Sequence, residues 1–371
     1  MQKIRVAFVP NDFLVGGVQR LHLGVFNGLD PEQYEMHLIT LFEFLGKRTL
    51  YEEVPSYVQT HRLSFNGFKD TVSWIALFRL LRSVRPDVVI ASLFFAHVVT
   101  RVLKLFFGYP VIITENNTYV NKSNGAIFLD RLLSRVTYKI IAVSETVRRF
   151  TSTQERIPLE KFVVVRSGID VGSVIKKADV TGRETVRRFL GLSMNDRVAI
   201  NVARLTKQKN QGALIEAFAE FSYGRPNEKL LILGEGSMYD TYATMIQERN
   251  AQGRIRLLGN VMDVISHYAV SDYFVSPSHV EGFGIAHVEA LACGIPVLTT
   301  KTAGPDEMIE EGRNGLFISD PSPKSIHAGL EAMTKLDLRS MRNACRTTAD
   351  RYDIRHTVAL YERLIQAASD R

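Results

Sequence analysis

Residues 272–300, DYFVSPSHVEGFGIAHVEALACGIPVLTT, contain two short apolar runs separated by a glycine-containing loop and a segment of helical length. Short runs rich in Val and Ile, joined through helices, are typical of parallel strands covered on both faces. The runs RVAINVARL, KLLILGEG and RIRLLGN repeat the pattern upstream, and GLFIS repeats it downstream. We therefore expect a doubly wound α/β domain in the C-terminal half of the chain.

The N-terminal half shows the same alternation, in the runs IRVAFVP, YEMHLITLF, PDVVIAS, VIITEN, KIIAVS and KFVVVRS. A polar stretch at 170–196 separates the two series. The expected fold is α/β, with two facing doubly wound Rossmann-like domains, 1–180 and 181–371, and a ligand cleft between them. We expect the amphipathic stretch IRHTVALYERLIQAA to form a last helix that returns toward the first domain.

Composition and charge narrow the functional classes. Two isolated cysteines, Cys293 and Cys345, suit neither a disulfide framework nor a metal site, and the opening MQKIRVAFVP does not resemble a signal peptide. The most apolar stretch, 88–113, is interrupted by charges and a proline, so we expect a cytoplasmic protein without a transmembrane segment. The net charge of +7 divides into about +9 for residues 1–190 and about −2 for 191–371, which favours an anionic partner of the first domain. The alternative is a solvated basic face. Nucleic acid is not expected, because no recognition module is visible.

Two glutamates stand near the start of the helix expected within 272–300. Glu281 lies in the loop and Glu289 in the helix, while Gly282 and Gly284 allow a ligand to approach the backbone closely. The first N–H groups of a helix favour an anion, and a carboxylate beside them can accept hydrogen bonds from sugar hydroxyls. The alternative is that each is a solvated surface glutamate.

A second polar loop, in ARLTKQKNQ, follows the strand RVAINVA. Arg204 and Lys209 can together neutralise a diphosphate, whereas Lys207 can be a solvated neighbour. The sequence contains no Asp-x-Asp, no His-Glu-x-x-His and no Cys-x-x-Cys, so we expect neither a metal ion nor a cofactor.

Glycines mark two further loops. Gly16 and Gly17, in NDFLVGGVQR, can form a backbone nest for a phosphate, or simply a tight turn. Gly234, in LLILGEGSM, begins a Gly-x-Gly that lacks the third glycine of a dinucleotide fingerprint, and no P-loop motif is present. These patterns argue against a dehydrogenase and a P-loop ATPase.

The loop EGFG followed by HVEALACGIPVLTT, with RLTKQKNQ upstream, closely resembles the retaining glycosyltransferases of family four. The resemblance covers nearly the whole chain, from GGVQR through AVSETV, SGID and LILGEG to GPDEMIEEGRNGLF. It implies the GT-B fold, with an acceptor-binding first domain and a second domain that binds a nucleotide-sugar such as a UDP- or GDP-sugar.

The resemblance also implies a role for each matching residue. Glu281 is expected to contact hydroxyls of the donor sugar, and Glu289 to hold the ribose. Arg204 and Lys209 match the family's diphosphate-binding pair, which makes Arg204, Lys209 and Glu281 the candidate catalytic set. Further donor-binding candidates are Gly16, Gly17, Gly234, Phe283 and Gly284.

The chain departs from the family pattern in two places. It has Ser167 where the family commonly has Asn before Gly-Ile-Asp, and Asn116 where a histidine is often found. Asn116 cannot take up a proton near neutral pH, so a general base is not expected there. His97 is a second candidate for the acceptor side, with a core histidine as the alternative.

We interpret the chain as a retaining, metal-independent glycosyltransferase. Its expected acceptor is a glycan carried on a lipid diphosphate, a precursor of oligosaccharide or polysaccharide. Two alternatives remain open, a nucleotide-sugar epimerase or hydrolase on the same fold and a catalytically inactive partner subunit that binds a nucleotide-sugar.

The segment TVSWIALFRLLRSVRP predicts a basic amphipathic helix that can lie on an anionic inner-membrane surface. The alternative is that its apolar residues pack against the sheet. The candidate membrane residues, including one from the next basic stretch, are Trp74, Phe78, Arg79, Arg82, Arg85 and Lys104.

Overall fold

The computed structural model describes residues 3–370. Its contacts divide the chain into two compact units, one formed by the residues up to Gly168 together with those from Ile354 onward, and the other by Ile169–Asp353. Each unit is built on a fully parallel sheet. The doubly wound α/β class predicted for both halves is confirmed.

The first unit contains seven strands and, before its C-terminal helix, five α-helices among the described residues. The strands are β1 (Ile4–Pro10), β2 (Tyr34–Thr40), β3 (Gln59–Arg62), β4 (Val88–Ser92), β5 (Val111–Glu115), β6 (Lys139–Ala142) and β7 (Phe162–Val164). The helices are α1 (Gly17–Gly28), α2 (Thr71–Val84), α3 (Phe94–Phe107), α4 (Asn124–Leu133) and α5 (Glu145–Glu155). β1, β4 and β5 are buried almost throughout, which is why they appear in the sequence as uninterrupted apolar runs.

The second unit alternates helices and strands in the same way. Its strands are β8 (Arg197–Val202), β9 (Glu228–Leu233), β10 (Ile255–Gly259), β11 (Tyr273–Ser276), β12 (Val297–Thr300) and β13 (Gly315–Ile318). Its helices are α6 (Val171–Val180), α7 (Arg183–Phe189), α8 (Gln211–Phe221), α9 (Tyr239–Glu248), α10 (Val264–Val270), α11 (Ile285–Ala292), α12 (Ala303–Met308), α13 (Pro323–Thr334) and α14 (Arg342–Asp350).

The boundary between the units lies after Gly168, not after residue 180 as predicted from the polar stretch. The reason is that α6 packs on α10 and α11 of the second unit. Lys177 of α6 pairs with Asp263 at 2.8 Å, just before α10. Polarity alone therefore misplaced a helix whose contacts belong to the following domain.

The C-terminal helix, α15 (Ile354–Ser369), belongs to the first unit and packs on α1. Gly24 and Gly28 of α1 make this approach possible, because a Cβ at Gly28 would lie 2.4 Å from Val358 and one at Gly24 would lie 2.7 Å from Ile354. Val358 joins the apolar core of the first unit.

In both sheets the first strand lies in the middle. The orders are β3-β2-β1-β4-β5-β6-β7 and β10-β9-β8-β11-β12-β13, so the winding direction reverses between β1 and β4 and between β8 and β11. At such a point the loops leave neighbouring strands in opposite directions and open a crevice at the carboxyl ends. Ligand-binding residues are therefore expected in the loops after β1, β4, β8 and β11.

Candidate functional site

In the second unit, the loops after β8 and β11 are fastened to each other. The amide of His279 donates to the carbonyl of Gln208 at 2.9 Å, and the Gln208 side chain donates to the carbonyl of Val280 at 3.0 Å. Asn210 donates through its side-chain amide to the carbonyl of Pro277 at 3.2 Å. The reversal point of this sheet is thus a rigid frame for side chains from both loops.

The frame brings Lys209 and Glu281 into a direct ion pair. Their side chains are only 16% and 17% exposed, so the pair is largely withdrawn from solvent. Arg204, in the same loop as Lys209, is exposed and forms no ion pair with any of residues 3–370. Two cations and one carboxylate therefore stand at the carboxyl ends of adjacent strands, with one cation available to an anionic ligand.

The helix after this loop is preceded by a glycine in the left-handed region. Gly284 has φ +92°, and a Cβ there would lie 2.5 Å from the Nδ1 atom of His287. Burial lowers the pKa of His287 to about 4, so its ring is neutral, and it shares a 3.0 Å hydrogen bond with Thr299. A neutral ring adds no charge below the N-terminus of α11, where the open N–H groups favour an anion.

Glu289 lies on α11, and its carboxylate is oriented by Tyr268. The Tyr268 hydroxyl donates to the carbonyl of Ala286 at 3.2 Å and to the Glu289 carboxylate at 3.4 Å. Burial and the neighbouring Glu289 charge raise the pKa of Tyr268 well above its usual value, so the phenol stays a donor. The sequence identified Glu289 but not Tyr268, which reads as an ordinary core aromatic residue.

Three glycines of the second unit allow close approaches between backbone segments. Gly234 has φ +134°, and a Cβ there would lie 2.0 Å from the carbonyl oxygen of Ala203. A Cβ at Gly236 would lie 2.2 Å from the carbonyl oxygen of Leu205. Gly304, which sequence reasoning missed, faces Phe283 in the same way, at 2.0 Å from its carbonyl oxygen. Gly304 is the second residue of α12, and its signal in the sequence is that it opens the motif GPDEMIEEGRNGLF.

In the first unit, the loop after β1 is held by its own side chains. The Asn11 side chain accepts from the amide of Ala96 at 2.9 Å, which ties this loop to the start of α3 after β4. The Asp12 carboxylate accepts from the amide of Leu14 at 3.1 Å and from Gln19 at 3.2 Å. Gly16 and Gly17 follow, with Gly17 as the first residue of α1.

The two acceptor-side candidates have different environments. His97 is 2% exposed, and burial lowers its pKa to about 3. Its Nδ1 atom lies 3.8 Å from the carboxylate of Glu115, whose pKa burial raises to about 8. This places His97 in the core rather than at a ligand-facing surface. Asn116 is partly exposed and donates to the carbonyl of Thr114 at 3.1 Å.

The segment predicted to lie on a membrane divides into two faces. The Trp74 indole donates to the carbonyl of Phe68 at 2.9 Å, and the Phe78 ring packs 4.7 Å from that of Phe107, so both rings are partly buried. Lys104 donates to the carbonyl of Val136 at 2.7 Å. The three arginines, in contrast, are exposed: Arg79, Arg82 and Arg85.

No helix within residues 3–370 is long and apolar enough to cross a membrane. No group of three or more His, Cys, Asp or Glu in the same range could hold a metal ion.

Comparison with known proteins covers both units. Residues 182–352 match the family model described as glycosyl transferases group 1, and residues 15–173 match that of glycosyltransferase family 4. The chain is 25% identical over 348 residues to an alpha-monoglucosyldiacylglycerol synthase of Acholeplasma laidlawii, covering 84% of this chain and 83% of the relative. It is also 25% identical over 334 residues to the UDP-Gal:alpha-D-GlcNAc-diphosphoundecaprenol alpha-1,3-galactosyltransferase of Escherichia coli, covering 85% and 84%.

Solved structures share the fold. A glycosyltransferase from Rickettsia africae superposes with a TM-score of 0.85 at 19% identity, covering 99% of both chains. Anabaena HepE in complex with UDP superposes with a TM-score of 0.79 at 19% identity, covering 98% of this chain and 100% of the other. At this identity, the likeness establishes the architecture of the chain.

Proposed function

This chain belongs to glycosyltransferase family four and has the GT-B fold, and we propose that it transfers a sugar from a nucleoside-diphosphate donor to a glycan acceptor with retention of configuration. The observation that carries the proposal is the Lys209–Glu281 pair beside the exposed Arg204, at the reversal point of the second sheet. A diphosphate needs cations and a sugar needs hydrogen-bond acceptors, and this site holds both.

The two cations act on the leaving group. As the bond between the sugar and the diphosphate breaks, negative charge accumulates on the phosphate oxygens, and positive charges fixed beforehand stabilise that state most. Arg204 offers a planar fork of donors and Lys209 a compact charge. In this proposal they replace a divalent metal ion, so transfer continues in excess EDTA. Loss of activity in EDTA that magnesium restores would contradict this part of the proposal.

The carboxylates recognise the donor by its hydroxyls. Glu281, held by Lys209, faces the sugar, and Glu289, held by Tyr268, takes the ribose. The backbone at Phe283 and Gly284, with the open N–H groups of α11, approaches the phosphate and sugar. Gly234 is proposed to contact the donor as well, and so are Gly16 and Gly17 at the start of α1.

The acceptor is proposed to bind the first unit, where Asn116 rather than a general base would face it. The Escherichia coli relative is named for a lipid diphosphate-linked acceptor and the Acholeplasma laidlawii relative for a glycolipid. By analogy, we propose a lipid-linked glycan acceptor for this chain. HepE was solved with UDP and with UDP-glucose, which makes uridine nucleotides the first donors to test.

A thermal-shift screen of UDP- and GDP-sugars tests the donor. A ligand present at about 100 times its dissociation constant stabilises the folded protein by about 2.7 kcal/mol. We expect one nucleotide-sugar to raise the melting temperature and Arg204→Ala to reduce that shift. Release of free nucleotide at the full rate without any acceptor would instead indicate a hydrolase.

We also propose that the first unit lies against the cytoplasmic face of an anionic membrane. The exposed residues of α2 form a stripe of Val72, Ile75, Arg79 and Arg82, and each cation near an anionic leaflet contributes about 1 kcal/mol. Flotation with anionic liposomes at low and high salt tests this.

Binding to the liposomes should weaken with salt and in an Arg79→Glu, Arg82→Glu variant. Arg188→Glu, an exposed change in the second unit, serves as the control. Equal binding to anionic and neutral liposomes would contradict the proposed membrane association.

A further inference from the structure

A cavity of about 190 Å³ lies in the first unit, where β1 and β2 end. One wall is the loop 12–14 after β1, and the other is the loop 42–47 after β2, with Arg62 at the end of β3. Because one water needs only about 10–15 Å³ of space measured in this way, the cavity can take several waters. That is room for one ring-sized group.

The walls are fixed by contacts that need no ligand. Leu14 and Thr49 form an antiparallel bridge between the loops, and the amide of Leu50 donates to the carbonyl of Phe13 at 3.0 Å. The Arg62 guanidinium lies 3.8 Å from the centre of the Tyr51 ring. Because the backbone of these walls is held without a ligand, binding would cost little entropy for ordering the two loops.

The charges around the cavity cancel. Asp12, Glu43, Lys47 and Arg62 all line the cavity, and the Arg62 guanidinium is 4.0 Å from the Glu43 carboxylate. A phosphate entering this space would meet two carboxylates, and an acyl chain would desolvate four charged groups. A hydroxyl both donates and accepts, so a neutral ligand with several hydroxyls can use all four side chains.

An aromatic ring completes the lining. Phe44 is 46% exposed, with its ring centre 6.5 Å from that of Phe42. A half-exposed phenylalanine offers an apolar face against which the C–H face of a sugar ring can pack. Hydroxyl-binding charges and an aromatic face in one cavity fit a carbohydrate better than a lipid or an anion.

We infer that this cavity binds a single neutral glycosyl unit, the sugar ring of the acceptor. That the ring is an acceptor rests on the proposed function. The wall formed by residues 12–14 ends two residues before Gly16, where the donor phosphate is proposed to approach. Specificity for an uncharged acceptor ring would then be set by Glu43 and Arg62 rather than by the donor site.

Saturation-transfer NMR of the full chain tests this with defined probes. The probes are the methyl α-glycosides of glucose, galactose and N-acetylglucosamine, with inorganic phosphate and octanoate as the anionic and acyl alternatives. We expect at least one glycoside to bind with a dissociation constant in the millimolar range, and Glu43→Gln and Phe44→Ala each to weaken it about ten-fold. Matched controls outside the cavity are Glu52→Gln and Phe128→Ala, both at exposed positions.

The outcomes separate this inference from the donor assignment. A Glu289→Ala variant should lose nucleotide binding and still bind the glycoside. If no nucleotide-sugar binds but the glycoside signal is still lost only in the cavity variants, the proposed function fails and the sugar-binding cavity stands. Absence of glycoside binding, equal binding in the cavity variants and wild type, or binding of phosphate or octanoate alone would overturn the inference.

Discussion

Removing one charge of the Lys209–Glu281 pair should affect stability and turnover in different ways. Lys209→Met keeps the bulk of the side chain and removes its charge, and Glu281→Gln keeps the shape and removes the carboxylate. Both groups are about five-sixths buried, at 16% and 17% exposure, so each single variant leaves its partner mostly buried and unpaired.

The expected loss of unfolding free energy depends on how deeply the pair is buried. An exposed pair contributes about 0 to 1 kcal/mol, and loss of one partner of a buried pair costs about 3 to 5 kcal/mol. Because the pair is nearer the buried limit, we expect each single variant to lower the unfolding free energy by about 2 to 4 kcal/mol, with the double variant losing no more than either one. For turnover, losing a charge that faces the developing diphosphate should cost about 100- to 1000-fold.

A double-mutant cycle measured by urea denaturation and by sugar transfer separates the two effects. The double variant should be no less stable than either single variant, and its sugar-transfer activity should stay as low. Lys207→Met, in the same turn and exposed, is the control and should leave both unchanged. Recovery of transfer in the double variant, or wild-type transfer in Lys209→Met, would show that the pair serves only the fold.

Three further outcomes are expected. Calorimetry with the nucleoside diphosphate should show that Glu289→Ala weakens binding and that Glu281→Gln does not; equal losses would contradict the division between ribose and sugar. Gly28→Ala should lower the unfolding free energy by about 1 to 3 kcal/mol, because the new methyl group meets Val358, whereas Gly125→Ala, with open space around it, should not. Burial raises the pKa of Glu115 from 4.5 to about 8, so the folded state keeps a proton that the unfolded chain releases. The unfolding free energy should therefore fall as pH rises through that window, and urea denaturation of Glu115→Gln should lack the decline.

The alternation of apolar runs was enough to predict the fold class. Buried parallel strands must be apolar on both faces. For this reason β4, β5, β8 and β11 can be recognised in the sequence as runs rich in Val, Ile, Leu and Phe. The candidate ligand-binding residues in the loops after these strands, such as Arg204 and Glu281, could also be identified from the sequence. Polar groups at the end of a buried strand need a partner or a ligand.

The sequence did not show which of these residues lie close together in the folded protein. Lys209 and Glu281 are separated by 72 positions in the chain, and they meet because β11 pairs directly with β8. That pairing follows from the strand order, in which β11 returns to the middle of the sheet. No local pattern in either loop carries this information.

Burial of individual side chains also depended on the assembled units. His97 and Trp74 lie on amphipathic helices, and periodicity gives a helix two faces without saying how much of each a neighbour covers. Only the packed structure shows His97 beside Glu115 in the core and Trp74 bonded to Phe68. Likewise, the domain boundary and the cavity beside Asp12 and Arg62 arise from many weak contacts between distant segments, whose sum is decided only when the whole unit has folded.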